Sequence, residues 1–166
     1  MTQTLSQASY TIRRATIDDI DALVQFRVAM QREVGKTPLS DPMAEFTRAT
    51  REYMLTALPE GTFIAWVADA DDGAIVGTSG LIFFKRPPTA RDSASSDAYI
   101  INMYTVPEWR KRGIAGALVE QIITFVRTET STKRIFLRAE TEARPVYERA
   151  GFVAATDVMD LYIDRI

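Results

Sequence analysis

Cysteine and histidine are both missing from the 166 residues of this chain, and each absence removes whole mechanisms. Without histidine there is no Ser-His-Asp hydrolase, no imidazole general base and none of the usual zinc sets. Without cysteine there is no thiol nucleophile, no acyl-cysteine intermediate and no disulfide. Any acid or base must therefore be Asp, Glu, Tyr, Lys, a terminus or water, and no metal site is expected. A strong charge of one sign is also lacking. The net charge of -2 makes no overall case for nucleic acid as a partner. No apolar run reaches the roughly 20 residues that span a bilayer. The N-terminal MTQTLSQASY carries neither the basic nor the apolar region of a secretory signal, so the expectation is a cytoplasmic protein without a membrane partner.

The remaining composition is that of a soluble globule, with 46% hydrophobic and 25% charged residues to form one core and one solvated surface. A chain of this length buries about 70% of its unfolded surface, enough for a single domain, expected over residues 10–166 behind a loose polar tail at residues 1–9.

The most informative stretch runs from Ala98 to Gly116, AYIINMYTVPEWRKRGIAG, because its hydrophobic period changes halfway along. Ile100, Ile101, Met103, Tyr104, Thr105 and Val106 form a β-branched and aromatic run suited to a strand buried on both faces. Pro107 lacks a backbone donor and ends it. Ile114, Leu118, Ile122 and Phe125 then recur at helical spacing, so a helix starts near Gly113 and reaches about Thr128. The join holds Arg110, Lys111, Arg112, Gly113, Ile114, Ala115 and Gly116. The first N–H groups of a helix lack internal partners, and the helix dipole adds roughly half a positive charge there, which together suit a phosphate. Each glycine in a first turn costs about 1 kcal/mol of helix propensity, so two of them want a reason. A P-loop is excluded because Gly116 is followed by Ala117 and Leu118 instead of Lys and Ser or Thr, and the G-x-x-G spacing does not fit a dinucleotide fingerprint.

The rest of the chain alternates strands and helices. Tyr10 to Arg14 is a short strand, and Thr16 with Asp18 and Asp19 supplies a cap and acidic first turn to a helix running to about Glu33. A loop over residues 36–41 leads to a second amphipathic helix from Met43 to about Leu58. Thr62 to Ala68 and Ile75 to Phe84 read as an antiparallel hairpin, with Gly77 and Gly80 marking a bulge or close packing. The polar segment from Lys85 to Asp97 is expected to be exposed, either bordering a site or disordered, the second being favoured. Lys133 to Ala139 is a strand parallel to the central one by a right-handed crossover. Ala143 to Ala150 is a short helix capped by a left-handed Gly151, and Phe152 to Ala154 and Asp157 to Ile163 are the last two strands.

The run Arg110 to Ala115, R-K-R-G-I-A, resembles the Q/R-x-x-G-x-G/A pyrophosphate loop of the GCN5-related N-acetyltransferases, with Arg110, Gly113 and Ala115 in the defining places. The resemblance extends to A-R-P-V-Y-E-R-A-G-F (residues 143–152), which is similar to that family's Y-x-x-x-G-F helix end, and to Y-T-I-R-R-A-T-I-D-D at its start. It implies an α/β fold with a central mixed sheet of about seven strands flanked by about four helices. It further implies acetyl-CoA as co-substrate, a primary amine on a small molecule or peptide as acceptor, and a homodimer. On the same resemblance the backbone of Met103, Tyr104 and Thr105 faces the pantetheine arm, and Arg110 to Gly116 hold the pyrophosphate. Tyr147 both lines the cofactor and serves as the acid that protonates the departing thiolate. The family's frequent Asn seven residues before that tyrosine is replaced by Glu140, followed by Thr141. A subgroup with a small hydroxyl residue at the Thr141 place and an R-P-L-Y-like run is the nearer likeness, and it adds Thr141 to the cofactor residues. The base is open. Tyr99 stands where some members carry a Glu, and Glu33, Asp97 and a water relay remain candidates. Asn102, the one amide of the central strand, needs a partner that an acceptor ligand or a neighbouring loop would supply, which makes Glu33 and Asn102 the acceptor-side candidates. A non-catalytic acyl-CoA sensor and an acyltransferase for longer acyl groups are the rival readings.

Overall fold

The computed structural model describes residues 9–35, 43–155 and 159–162. The expected tail up to residue 8 and the loop over residues 36–41 lie outside them. Five strands form one mixed sheet in the order β1-β2-β3-β4-β5: β1 Tyr10–Arg14, β2 Phe63–Ala70, β3 Ile75–Lys85, β4 Ser96–Thr105 and β5 Ile135–Phe136. All neighbours are antiparallel except β4 and β5, which run parallel as the strand-helix-strand order requires. The helices are α1 Ile20–Glu33, α2 Met43–Glu60, α3 Ile114–Glu129 and α4 Arg144–Arg149.

The period of two along β2 sorts the core into two layers. Phe63, Ala65 and Val67 face α1 and α2, where they meet Ile20, Leu23, Val24, Met54 and Ala57. Ile64, Trp66 and Ala68 face the other way and pack with Ile114, Leu118, Ile122 and Val126 of α3. A strand covered by helices on both faces has no polar side, which is why F-I-A-W-V-A is apolar throughout. Ahead of α1, Thr16 and Asp19 form a reciprocal capping box, and the Arg13 guanidinium beside Asp19 holds that carboxyl below its usual range.

The two glycines of β3 are there for close approach. A Cβ on Gly80 would lie 2.5 Å from the Phe63 ring, and one on Gly77 would lie 2.8 Å from Cγ2 of Ile114, the first residue of α3. Gly77 thus lets the start of α3 settle onto the sheet. The register also slips here, since Thr78 pairs with Tyr104 while Gly80 pairs with Ile101, so Ser79 faces both Asn102 and Met103. That is a β-bulge in β4, with Asn102 at a φ of 57°.

Three expectations are corrected. The strand at Lys133 to Ala139 shrinks to Ile135–Phe136, because β4 pairs with it only through Ala98 and Tyr99. The segment from Lys85 to Asp97 is ordered. Its ends join β3 and β4, and its middle folds around Arg86, which donates to Asp92, Asp97 and the carbonyls of Pro87 and Ala94. Phe152 to Ala154 is no strand, and neither are the described residues of the expected strand from Asp157 to Ile163. With so short a β5 they find no ladder, and Val153, Met159 and Leu161 stand exposed. The sheet therefore has five strands among the described residues where about seven were expected.

Candidate active site

The site is built where β4 parts from β5. Up to Tyr99 the strand is paired on both sides; beyond Ile101 the bulge turns it away, and Asn102 to Thr105 keep a ladder only with β3. The edge of β4 next to β5 therefore carries backbone groups that no strand among the described residues covers. Met103 on this edge packs in one cluster with Leu137 and Ala139 from the far side of the opening, and with Tyr147. The two arms of a fork thus share one apolar floor.

At the mouth of the fork the chain turns through a 3-10 segment, Pro107–Trp109, into the start of α3. Lys111 has a φ of 61° and Gly113 a φ of 84°, left-handed values that glycine adopts freely and lysine at a cost of about 1 kcal/mol. The first helical bond runs from the Ala117 N–H to the Gly113 carbonyl at 3.0 Å, so the N–H groups of Ile114, Ala115 and Gly116 precede the helical ladder. A Cβ on Gly113 would meet only the Tyr10 hydroxyl, at 3.5 Å, and one on Gly116 would meet nothing within 4 Å. The turn is an open surface of amide donors at the positive end of a helix, and the Arg112 guanidinium lies 4.7 Å from the Trp109 ring beside it.

Arg110, expected at the anion, is turned elsewhere. Its guanidinium grips the Glu33 carboxylate at 2.7 and 2.8 Å and donates to the Thr105 carbonyl at 3.0 Å, above the Tyr104 ring. Tyr104 also donates to Glu33, at 3.3 Å, and packs on Phe26. Burial and then the Glu33 charge push the Tyr104 phenol up. The end of α1 is in this way fastened to the end of β4, and Glu33 lies inside an ion pair.

Asn102 is buried, and its Oδ1 accepts from the guanidinium of Arg27 on α1. Arg27 was not singled out from the sequence. The signal was present, because it follows the buried Leu23 and Val24 at four- and three-residue spacing and so sits on the inward face of α1. Asp97 is buried at the closed end of β4, between Arg86 at 2.8 Å and Arg134 at 3.1 Å, which removes it from the fork. Thr141 is exposed in the turn leading into α4.

Tyr147 of α4 is 7% exposed, packs edge-on against Phe152 at 5.9 Å, and sits among Val119, Ile123 and Met103. Desolvation pushes its phenol up to about 12, so it is protonated at neutral pH. Its hydroxyl has no hydrogen-bond partner among the described residues and is not sealed from solvent. A proton donor without a partner therefore stands beside the fork.

A mixed sheet that forks beside an amide-lined helix start defines an α/β protein suited to an extended ligand with an anionic end. The comparisons name the class more closely. The acetyltransferase (GNAT) family pattern matches residues 27–152, and the chain belongs to that family, which places it among acyl-group transferases. Among solved structures, a predicted acetyltransferase with acetyl-CoA from Clostridium acetobutylicum is 28% identical, with 95% of this chain and 99% of that one covered at a TM-score of 0.82. A GCN5-related N-acetyltransferase from Ralstonia eutropha JMP134 is also 28% identical, with 94% and 99% covered at a TM-score of 0.80. A glucosamine-6-phosphate N-acetyltransferase from Arabidopsis thaliana shares the fold at 18% identity, with 94% and 99% covered at a TM-score of 0.66. No curated protein sequence matches significantly.

Proposed function

We propose that this chain is an N-acetyltransferase that passes the acetyl group of acetyl-CoA directly to a primary amine of a small molecule or peptide. The observation that carries this reading is the junction of the open amide turn at Gly113 to Gly116 with the uncovered edge of β4, beside a buried, unpartnered tyrosine. The turn takes the diphosphate of the carrier, with Lys111 and Arg112 adding charge. The backbone of Met103, Tyr104 and Thr105 meets the amide groups of its arm, and Thr141 borders the arm from the α4 side. A ligand bearing amides and phosphates meets donors and acceptors at both places, which is the fit the acyl carrier requires.

In the reaction the amine nitrogen bonds to the thioester carbon, the carbon–sulfur bond breaks, and the sulfur leaves as a thiolate. No residue of this chain forms a covalent intermediate, in keeping with a sequence that has no cysteine. Tyr147 donates toward the departing sulfur. Raised to about 12 by burial, the phenol is protonated at neutral pH and so stabilises the developing thiolate by donating a hydrogen bond, solvent supplying the proton that completes the thiol. The amine gives up its proton to water, since Glu33 is held by Arg110 and Asp97 is locked between two arginines.

A free-thiol assay with acetyl-CoA over amino acids, polyamines, aminoglycosides and peptides tests the proposal. Thiol release that depends on an amine and saturates in acetyl-CoA is the expected result. Tight binding of acetyl-CoA with no thiol from any amine would make the chain an acyl-CoA sensor instead, and faster turnover with longer acyl groups would make it a different acyltransferase.

A further inference from the structure

Arg27 is a partly buried cation with no carboxylate partner among the described residues. Among the described residues no ion pair includes it, and the only titratable groups that act on it are the phenols of Tyr53 and Tyr99. Its guanidinium lies 5.7 Å from the Phe46 ring of α2 and donates to Oδ1 of Asn102 at the bulge of β4. Desolvation pushes its pKa down, the mark of a charge without its counterion, yet a guanidinium keeps its proton at any physiological pH. Partly buried arginines are normally paired, because an isolated charge away from water is costly.

The hydrogen-bond inventory at this point is one-sided. A guanidinium only donates, so the oxygen of Asn102 faces it and the amide N–H groups of Asn102 are left for another acceptor. Neither they nor the remaining N–H groups of Arg27 have a protein acceptor among the described residues, and none of these nitrogens is sealed from solvent. The result is a cluster of donors with a positive charge and no anion among the described residues. It stands on the α1 and α2 face of β4, at the residue next to Met103, which packs with Tyr147 on the opposite face. The bulge produces this arrangement. It keeps Asn102 on the same face as Ile101, which packs with α1 and α2, where strict alternation would have turned the side chain toward α3.

We infer that the acceptor is a small amine that also carries an oxyanion, a carboxylate or a phosphate, and that Arg27 with Asn102 holds this group so that the amine faces the fork. The inference rests on the acetyl-transfer reading and narrows its acceptor. A planar guanidinium matches the two oxygens of such a group in a way that a point charge does not. The same charge disfavours polycationic acceptors such as polyamines, for which the site presents no carboxylate among the described residues other than the already paired Glu33.

The test uses matched amines: alanine against alaninamide for the carboxylate, and phosphoethanolamine against ethanolamine for the phosphate. With the full chain and acetyl-CoA, the anionic member of one pair is expected to have the higher kcat/KM by about 100-fold, and the pair that shows it identifies the oxyanion. Arg27→Gln is expected to bring that ratio down to about 1 while the affinity for acetyl-CoA, read by calorimetry, stays within about 2-fold. Arg27→Lys should fall between the two. Equal rates within both pairs overturn the inference and leave acetyl transfer standing, as does a ratio that Arg27→Gln does not change. If no amine of any kind releases thiol, the acetyl-transfer reading fails and this inference falls with it. Should Arg27→Gln not fold, the wild-type comparison of acid with amide still decides.

Discussion

The two halves of β4 have the same β-rich composition and opposite roles. Its first half, Ser96 to Ile101, is closed. Phe84, Tyr99 and Phe136 stack across three strands at centroid distances of 4.8 to 5.8 Å, and Asp97 ties Arg86 to Arg134. Its second half, Asn102 to Thr105, is bulged and uncovered on the β5 side. In the first half the charges pair with one another; beside the second, Arg110 and Glu33 pair at the rim, while Arg27 has no anion among the described residues and the α3 amides face outward. A charged residue near a site is thus informative only together with its partner. Asp97 and Asn102 are five positions apart, and one is a structural clamp while the other stands at the bulge with Arg27.

Breaking the clamp should have the largest effect. Asp97→Ala removes the buried carboxylate that joins Arg86 to Arg134, leaving Arg86 with Asp92 alone, and is expected to lower stability by about 3 kcal/mol, read by denaturant unfolding, with turnover per folded molecule unchanged. A larger effect on turnover than on stability would put Asp97 in the chemistry and erase the division between the halves. On the open side, Tyr147→Phe is expected to lower kcat by about 100-fold with acetyl-CoA affinity nearly intact. Because the folded phenol sits at about 12 against an ordinary 10.0, the folded state holds its proton longer than the unfolded chain does. Stability from this group is complete below pH 10 and is lost as the pH rises toward 12, by roughly 2–3 kcal/mol, and Tyr147→Phe should abolish that loss. The smallest effect belongs to the rim. Glu33→Gln frees Arg110 from a half-exposed pair, so stability should move by no more than about 0.5 kcal/mol. Acetyl-CoA should then bind about 3-fold more tightly if Arg110 has any share in the anion.

Most of the layered fold was legible in the sequence because it rests on local rules. The period of two in β2, the capping residues at Thr16 and Asp19, the glycines of β3 and the change of period after Pro107 each act over a few residues. The short β5, and the lack of a ladder for the described residues after α4, were not legible, since K-R-I-F-L-R-A has the composition of a strand and its pairing depends on a bulge that turns β4 away from it. Around the candidate site, the turn into α3 and the short helix that carries Tyr147 could be read from local pattern. The Arg27 to Asn102 bond spans 75 residues and the Arg110 to Glu33 pair 77, and no local pattern specifies contacts of that range. The same limit hid the Glu33 partner of Arg110, whose expected place at the phosphate rested on motif alone.

Gly116 provides the most direct measurement of the central claim, that the start of α3 holds the diphosphate of an acyl carrier. Replacing glycine with aspartate at the third position of a helix should raise stability, by about 1 kcal/mol, through better propensity and a favourable dipole interaction. It also points a negative charge into the proposed anion site, where nothing lies within 4 Å. Calorimetric titration of acetyl-CoA into wild type and Gly116→Asp, with a thermal melt of each, is predicted to give saturable binding to the wild type. The variant is predicted to melt higher and bind at least about 10-fold more weakly. No binding heat in the wild type, or equal affinity in the two proteins, would contradict the claim.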